Sequence, residues 1–358
     1  MNLFKDKFFR QFFASMHAHP HDNWDFYRFP DDHSRHHEFQ VENASTSLDF
    51  ILNNADHYNT TYQVLADDES RRLMILLLVY RVLDHHHVSL PLNSPDYWKT
   101  IQMIDSNFLK RENVFVSGEW SLNEYYLPTF DLTLFCRLRS IMATFILKQY
   151  YYCGNPPVQP EPGDIVIDAG ACWGDTAMHF AHTAGRSGQV HCFEFVPSNI
   201  EIFSKHLGVN TGVKESIFLA PYALSDESHL KMKFNDYGPA SCLSATGKQT
   251  ARTITIDDYV RAEGLRRVDF VKMDVEGAEK MALQGAREVI RRHKPKLAIS
   301  AYHRLDDLFE LPRAIQAIDP GYTFYLGHYT IHNEETVLYA IHPEYCAGKR
   351  HSAAGKIG

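Results

Sequence analysis

From Gly163 onward the chain alternates short apolar runs with helical segments, and that rhythm constrains its fold more than any other feature. DIVID (164–168) reads as a strand, and TAMHFAHTAG as a helix stopped by Gly185. QVHCFEF (189–195) is a strand before PSNIEIFSKHLGVN, and SIFLA (216–220) is a third strand before a turn-rich stretch, 226–252. VDFVKMD (268–274) leads into EKMALQGAREVIRRH, and LAISAY (297–302) into DDLFELPRAIQAID. TFYLGHY and TVLYAI follow as two last strands. Apolar strands separated by helices predict a parallel sheet covered on both faces. The turn between the last two strands, His332 to Glu335, is too short for a crossover, so one of them must run antiparallel. Residues 343–358 read as a loose tail.

The first 150 residues differ. They are rich in Tyr, Phe and His and poor in Gly. Leu73, Leu76, Leu77 and Tyr80 lie at helical spacing, LPLNSPDYWKT breaks that helix, and LPTFDLTLFCRLRSIMATFIL reads as another. The expected organisation is a mainly helical accessory region, 1–154, followed by an α/β domain, 155–342. Phe4, Phe8 and Phe12 are in helical register with Lys5, Lys7 and Arg10 between them. Such a segment can lie on a lipid interface, but docking on the protein itself is the simpler reading.

Across 358 residues the formal charge is −8, which argues against general affinity for nucleic acid or anionic lipid. The six cysteines (Cys136, Cys153, Cys172, Cys192, Cys242, Cys346) form no C-x-x-C. Neither a zinc ribbon nor a disulfide framework is expected, and a reducing cytoplasm is the simplest setting. The longest apolar run, LMILLLVY (73–80), is too short to span a membrane, and the N-terminus has no signal-peptide core. DHHHV (84–88) and HAHPH (17–21) invite a metal reading, but consecutive side chains splay apart, so solvated or core histidines are expected. RRHKPK (291–296) reads as a solvated helix end.

The first strand runs into VIDAGACWGDTA (166–177), a turn with the spacing D-x-G-x-x-x-G at Asp168, Gly170 and Gly174. A dinucleotide site wants G-x-G-x-x-G, with bare amides aimed at a pyrophosphate. Asp168 would repel phosphate and suit a cationic ligand. S-adenosylmethionine carries a sulfonium and an ammonium and no phosphate. Glu194, at the end of the second strand, can accept from both ribose hydroxyls. ALSD (223–226) stands where an adenine amino group would find Asp226 or a backbone carbonyl.

With these features on the page, the chain resembles the FkbM family of S-adenosylmethionine-dependent methyltransferases. The carrying segments are VIDAGACWGDTA, FEFVPSN, ALSD, TIDDYV (255–260) and above all VDFVKMDVEGAE (268–279), within residues 160–342. The resemblance implies an α/β, Rossmann-like class I methyltransferase fold: a mostly parallel seven-stranded sheet with one antiparallel strand. It implies cofactor contacts at Asp168, Gly170, Ala171, Gly174, Glu194, Phe195, Ala223, Asp226 and Asp274. It also implies methyl transfer to oxygen, on a sugar or glycan hydroxyl or a natural-product alcohol.

Such transfer is an in-line displacement in which positioning supplies much of the rate and a base takes the hydroxyl proton. Candidates should emerge from the fourth and fifth strands. Lys272 and Asp274 face one side of their strand, Glu276 and Glu279 open the next helix, and His303 follows LAISAY. His303 or Asp274 is expected as base, with Glu276 binding the acceptor and Lys272 beside them. A divalent metal on Asp274, Glu276 and His303 is the less favoured alternative. The aromatics of KQYYYCG (148–154) either cover the cofactor or pack the two halves together. A nicotinamide-dependent oxidoreductase is the main rival, but its Tyr-x-x-x-Lys pair would be Tyr345 and Lys349, beyond the last strand. NPPV (155–158) lacks the aromatic of a nucleobase methyltransferase loop. A binding protein that only retains the pocket is the remaining alternative, and it would not need both Asp168 and Glu194.

Overall fold

The structure is a computed structural model that describes residues 2–20, 23–26, 39–117, 120–241 and 246–345. The tail beyond Tyr345, with Cys346 and Lys349, lies outside the described residues, as do His21 and Cys242. The described cysteines, Cys136, Cys153, Cys172 and Cys192, are free thiols.

Three strands form a first antiparallel sheet: β1 (Leu109–Ser117), β2 (Trp120–Leu127) and β3 (Leu132–Cys136). The main sheet draws on β4 (Ile165–Ala169), β5 (Gln189–Phe193) and β6 (Ile217–Ala220). A small mixed sheet of β7 (Ala223–Leu224), β8 (Lys231–Phe234) and β9 (Gln249–Ile254) follows. The main sheet is completed by β10 (Phe270–Met273), β11 (Lys296–Ser300), β12 (Thr323–His328) and β13 (Thr336–Ile341). Its order is β12-β13-β11-β10-β4-β5-β6, and only β13 is reversed, pairing antiparallel with both neighbours. The predicted parallel sheet with one antiparallel strand is therefore present. Strands β10, β11 and β13 are buried at every position, which is why they read as continuous apolar runs.

The accessory region is helical at first, with helices Leu3–Ser15, Val41–Asn53, Ala55–Val64, Asp68–His87 and Pro95–Phe108. It then departs from expectation. The segment read as a helix, 127–147, instead holds β3 and a short π-helical stretch, Ile141–Ile146. LTLFC carries one β-branched residue, Thr133, and one aromatic, Phe135, and it pairs with β2 from Asn123↔Cys136 to Leu127↔Leu132. Tertiary pairing overrides the helix-like spacing of its leucines.

The helices do not form a detached unit. Phe4, Leu77, Phe324 and Ile315 share one hydrophobic cluster. They also cover an edge of the main sheet: Ala66 donates to the Phe324 carbonyl at 2.9 Å, and Ser70 Oγ accepts from Leu326 at 2.9 Å. Unpaired edge groups of β12 are thereby satisfied. Arg291 and Arg292 of RRHKPK are exposed at a helix end, as expected, but its last residue is not solvated. Lys296 enters β11 fully buried, 3.0 Å from Glu161 and 3.3 Å from Asp164.

The first helix docks on the protein. Asn2 caps it by accepting from the Lys5 amide at 3.0 Å. Phe4 and Phe8 are fully buried, and the Phe4 ring stacks on Tyr58 at 5.5 Å. Replacing Phe8 with Ala should cost about 3–5 kcal/mol in denaturant unfolding of the full chain. A loss below about 1 kcal/mol would mean that the helix is not held by this core.

Candidate active site

Parallel register sets Lys272 of β10 opposite Asp168 of β4. Lys272 Nζ lies 3.1 Å from Asp168 Oδ1 and donates to the Gly170 carbonyl at 2.6 Å. Thr176 Oγ1 donates to Asp168 Oδ2 at 2.7 Å. Both charged side chains are buried. Burial works against the Lys272 ammonium, but the Asp168 and Asp274 charges outweigh it and hold its pKa above the ordinary lysine value. The expectation that Asp168 offers its charge to a ligand is thus corrected: that charge is already neutralised, and Asp168 does not line the cavity.

The two glycines of the turn do different work. At Gly170 (φ +80) a Cβ would lie 1.8 Å from the Asp274 carbonyl oxygen, so only Gly lets the turns after β4 and β10 touch. At Gly174 (φ +90) a Cβ would strike the Phe203 ring at 2.4 Å. Gly174 serves helix packing and does not line the cavity.

A cavity of about 360 Å³ opens over this turn. Of the expected residues it gathers Gly170, Ala171, Glu194, Phe195, Ala223, Lys272, Asp274 and Glu276. Asp226 is exposed and, like His303, stands outside the lining. The accessory region adds Trp120, Arg139, Ser140, Thr144, Gln149 and Tyr150. Of these, the sequence pointed only to Tyr150. Its neighbours pack instead, Tyr151 on His179 and Tyr152 on Tyr325 and Tyr339. Asp175, Tyr302, Glu334 and Glu335 also line the space without having been anticipated. Trp120 lines it, its indole donating to the Tyr237 carbonyl at 3.1 Å, and the Arg139 guanidinium lies 5.1 Å from its ring.

Glu194 is the carboxylate aimed at the cavity from the end of the second main-sheet strand. It accepts from the Val196 amide at 2.7 Å and the Asn199 side chain at 3.3 Å. Burial pushes its pKa up to about 7, against these hydrogen bonds.

Beyond β10 and β11 the acids converge. Tyr150 donates to Asp274 Oδ2 at 2.9 Å and Tyr302 to Oδ1 at 3.4 Å. His303 Nε2 is 3.5 Å from both Asp274 and Glu276, and Nδ1 is 3.0 Å from Glu279. Burial lowers the His303 pKa, but Glu279, Asp274 and Glu276 together raise it to about 10. The surrounding carboxylates thus favour the imidazolium form of His303 over a neutral base. Atoms of Asp274, Glu279 and His303 converge within 4.8 Å, so Glu279 replaces Glu276 in the trio considered for a metal. Glu276 has a left-handed backbone (φ 52), a strained state for a non-glycine residue.

A seven-stranded sheet with one reversed strand, a Gly-rich turn after β4 and an acid after β5 define a Rossmann-like methyltransferase fold. The family model of the methyltransferase FkbM domain matches residues 168–324 of this chain. The crystal structure of a methyltransferase FkbM from Methylobacillus flagellatus superposes with a TM-score of 0.53 at 22% identity, covering 81% of this chain. The chain spans 59% of the length of that protein. Aeropyrum pernix fibrillarin, solved with natively bound S-adenosyl-L-methionine, matches at a TM-score of 0.35 and 13% identity, over 65% of this chain and 97% of that one. No curated protein matches. Among the described residues no helix is long and apolar enough to cross a membrane.

Lys272→Met should destabilise the fold by about 3–5 kcal/mol, because it strands the buried Asp168 charge; an unchanged unfolding midpoint would contradict the pairing. The raised His303 pKa contributes stability that is complete below about pH 6.5 and lost as pH climbs through about 10. Imidazole NMR should find His303 protonated at pH 8; a midpoint near 6.5 would contradict the cluster.

Proposed function

We propose that the protein is an S-adenosylmethionine-dependent O-methyltransferase acting on a hydroxyl of a neutral, hydroxyl-rich acceptor such as a sugar or a natural-product alcohol. The observation that carries the cofactor choice is the charge of the cavity. Six carboxyl groups line it (Asp175, Glu194, Asp274, Glu276, Glu334, Glu335) against two cations, Arg139 and Lys272. Lys272 is already committed to Asp168. Such a lining repels a pyrophosphate and suits a sulfonium, so the donor set fits S-adenosylmethionine better than a nicotinamide dinucleotide. Bound there, the cofactor would supply a methyl group activated on positively charged sulfur.

Glu194 would accept from the ribose hydroxyls, and the turn at Gly170 and Ala171 would lie along the cofactor. Asp274 is occupied by Tyr150, Tyr302 and His303, so it orients this wall. Of the two acids that share His303 Nε2, Glu276 is the one that no tyrosine hydroxyl engages, and it too lines the cavity. Burial, together with the Asp274 charge, pushes its pKa up to about 7. Glu276 then takes the proton from the acceptor hydroxyl, and the His303 imidazolium keeps the neighbouring carboxylates together. A lining rich in carboxylates favours neutral polyols, whose hydroxyls donate, over phosphorylated or carboxylated acceptors. Tyr150 and Trp120 close the space and exclude water.

Methyl transfer assayed against a panel of glycan and alcohol acceptors tests this reading. Turnover should rise as pH passes through about 7, where Glu276 loses its proton. Glu276→Gln should lower turnover by roughly 10²–10⁴-fold while cofactor affinity holds. Unchanged turnover in that variant would remove Glu276 from the mechanism. Glu194→Gln should weaken cofactor binding about tenfold or more, as expected for losing a charged acceptor. Equal affinity would show that the ribose lies elsewhere.

A further inference from the structure

Arg81 stands in an otherwise apolar run, with Leu78, Val79, Tyr80 and Val82 around it all buried. A cation in such company needs an acceptor. It lies on the last regular turn of the helix Asp68–His87, which breaks at Asp84 (φ 46, ψ −162), where the His85 and His86 rings meet at 4.1 Å instead of diverging as expected. Arg81 Nη2 donates to the Tyr302 carbonyl at 3.2 Å, across 221 positions of sequence. Burial draws its pKa below the ordinary arginine value, and the Asp307 and Glu334 carboxylates act against that shift.

Arg81 reaches the connection between β11 and the helix Asp307–Ile318, residues 301–306, which belongs to no strand or helix. Side chains hold its backbone instead. Tyr58, fully buried on the helix Ala55–Val64, donates to the Leu305 carbonyl at 2.6 Å, and its ring meets Phe309 edge-on at 4.9 Å. Asp307 accepts from the Arg304 amide at 2.7 Å. Two accessory helices thus hold two carbonyls of one loop, and those carbonyls flank His303 in sequence. The same loop builds one wall of the site. The Tyr302 hydroxyl donates to Asp274, and His303 sits among Asp274, Glu276 and Glu279. Neither Arg81 nor Tyr58 lines the cavity.

We propose that Arg81 and Tyr58 are positioning residues for methyl transfer: the accessory helices fix the loop 302–305 and, through Tyr302 and His303, the placement of Asp274 and Glu276 against the acceptor. This deepens the O-methyltransferase reading above and rests on it. A misplacement of about 1 Å far from the chemistry can cost roughly 10²-fold in rate, because it spoils alignment without removing a binding contact. The accessory region therefore acts in turnover as well as enclosing the cavity.

Full-length wild type, Arg81→Met, Arg81→Lys and Tyr58→Phe are compared by amide hydrogen exchange with mass spectrometry and by methyl transfer to the best acceptor of the panel. Arg81→Met should speed exchange in the loop 302–305 while β4 and β10 stay protected. It should lower kcat about 10–100-fold, with acceptor KM and cofactor affinity within about twofold of wild type. Arg81→Lys should recover most of both losses. Tyr58→Phe should act in the same direction, and it keeps the test open if Arg81→Met does not fold. In a Glu276→Gln background, Arg81→Met should cost less than about threefold further, because the group it places is already disabled. The full loss repeated in that background would mark a general destabilisation and overturn the proposal. Unchanged exchange in the loop in both Arg81→Met and Tyr58→Phe overturns the tether, and faster exchange with unchanged kcat overturns its part in turnover. Absence of methyl transfer in the wild type, with the exchange response intact, overturns instead the functional reading on which the inference rests.

Discussion

The ion pair between Lys272 and Asp168 is the contact on which the rest of the site depends. It joins the ends of β4 and β10 inside a sheet covered on both faces, where neither charge could stand alone. Lys272 also holds the Gly170 carbonyl, so one ammonium fixes a strand end and the turn that follows it. The Asp274 amide donates to the Ala169 carbonyl at 3.0 Å, and the missing side chain at Gly170 lets the two turns meet. Removing Lys272 would therefore disturb the floor of the cavity as well as leave a buried charge.

Neutralising Asp168 changes how the cavity's charge is understood. The negative field over the turn comes from the walls rather than the turn itself: Glu194 on one side, Asp274 and Glu276 on the other, Glu334 and Glu335 above. His303 is the internal counter-ion of one wall. Its positive charge lets several carboxylates share a small volume, while Glu276 remains partly exposed to the space where an acceptor would sit. The accessory region is part of this enclosure, because Trp120, Arg139 and Tyr150 close it from the other side.

Much of this was legible in the sequence, for physical reasons. Strands buried on both faces leave continuous apolar runs, so β4, β5, β10, β11 and β13 could be located from their composition. The turn between His332 and Glu335 was too short for a parallel crossover, which marked one of the last two strands as reversed; that it is β13 only the pairing shows. Glu194 was readable only in combination with Asp168 and the glycines between them, because either acid alone could be a solvated strand end. What could not be read depends on partners distant in the chain. Nothing local distinguishes β3 from a helix until β2 lies beside it. Gly174 looked like a cofactor glycine because Phe203, its true reason, is about one helix away. Lys296 looked solvated because Glu161 and Asp164 reach it only in the fold. The charge of His303 is set by Asp274, Glu276 and Glu279, all on the one turn that follows β10, and the convergence of His85 and His86 by one unusual backbone angle at Asp84.

The most direct measurement is calorimetric titration of the full-length protein with S-adenosylmethionine, S-adenosylhomocysteine, NADH and NADPH. A cavity walled by carboxylates and floored by a neutralised turn should bind both sulfur ligands and neither dinucleotide. Binding of NADH or NADPH with no heat from the sulfur compounds would contradict it.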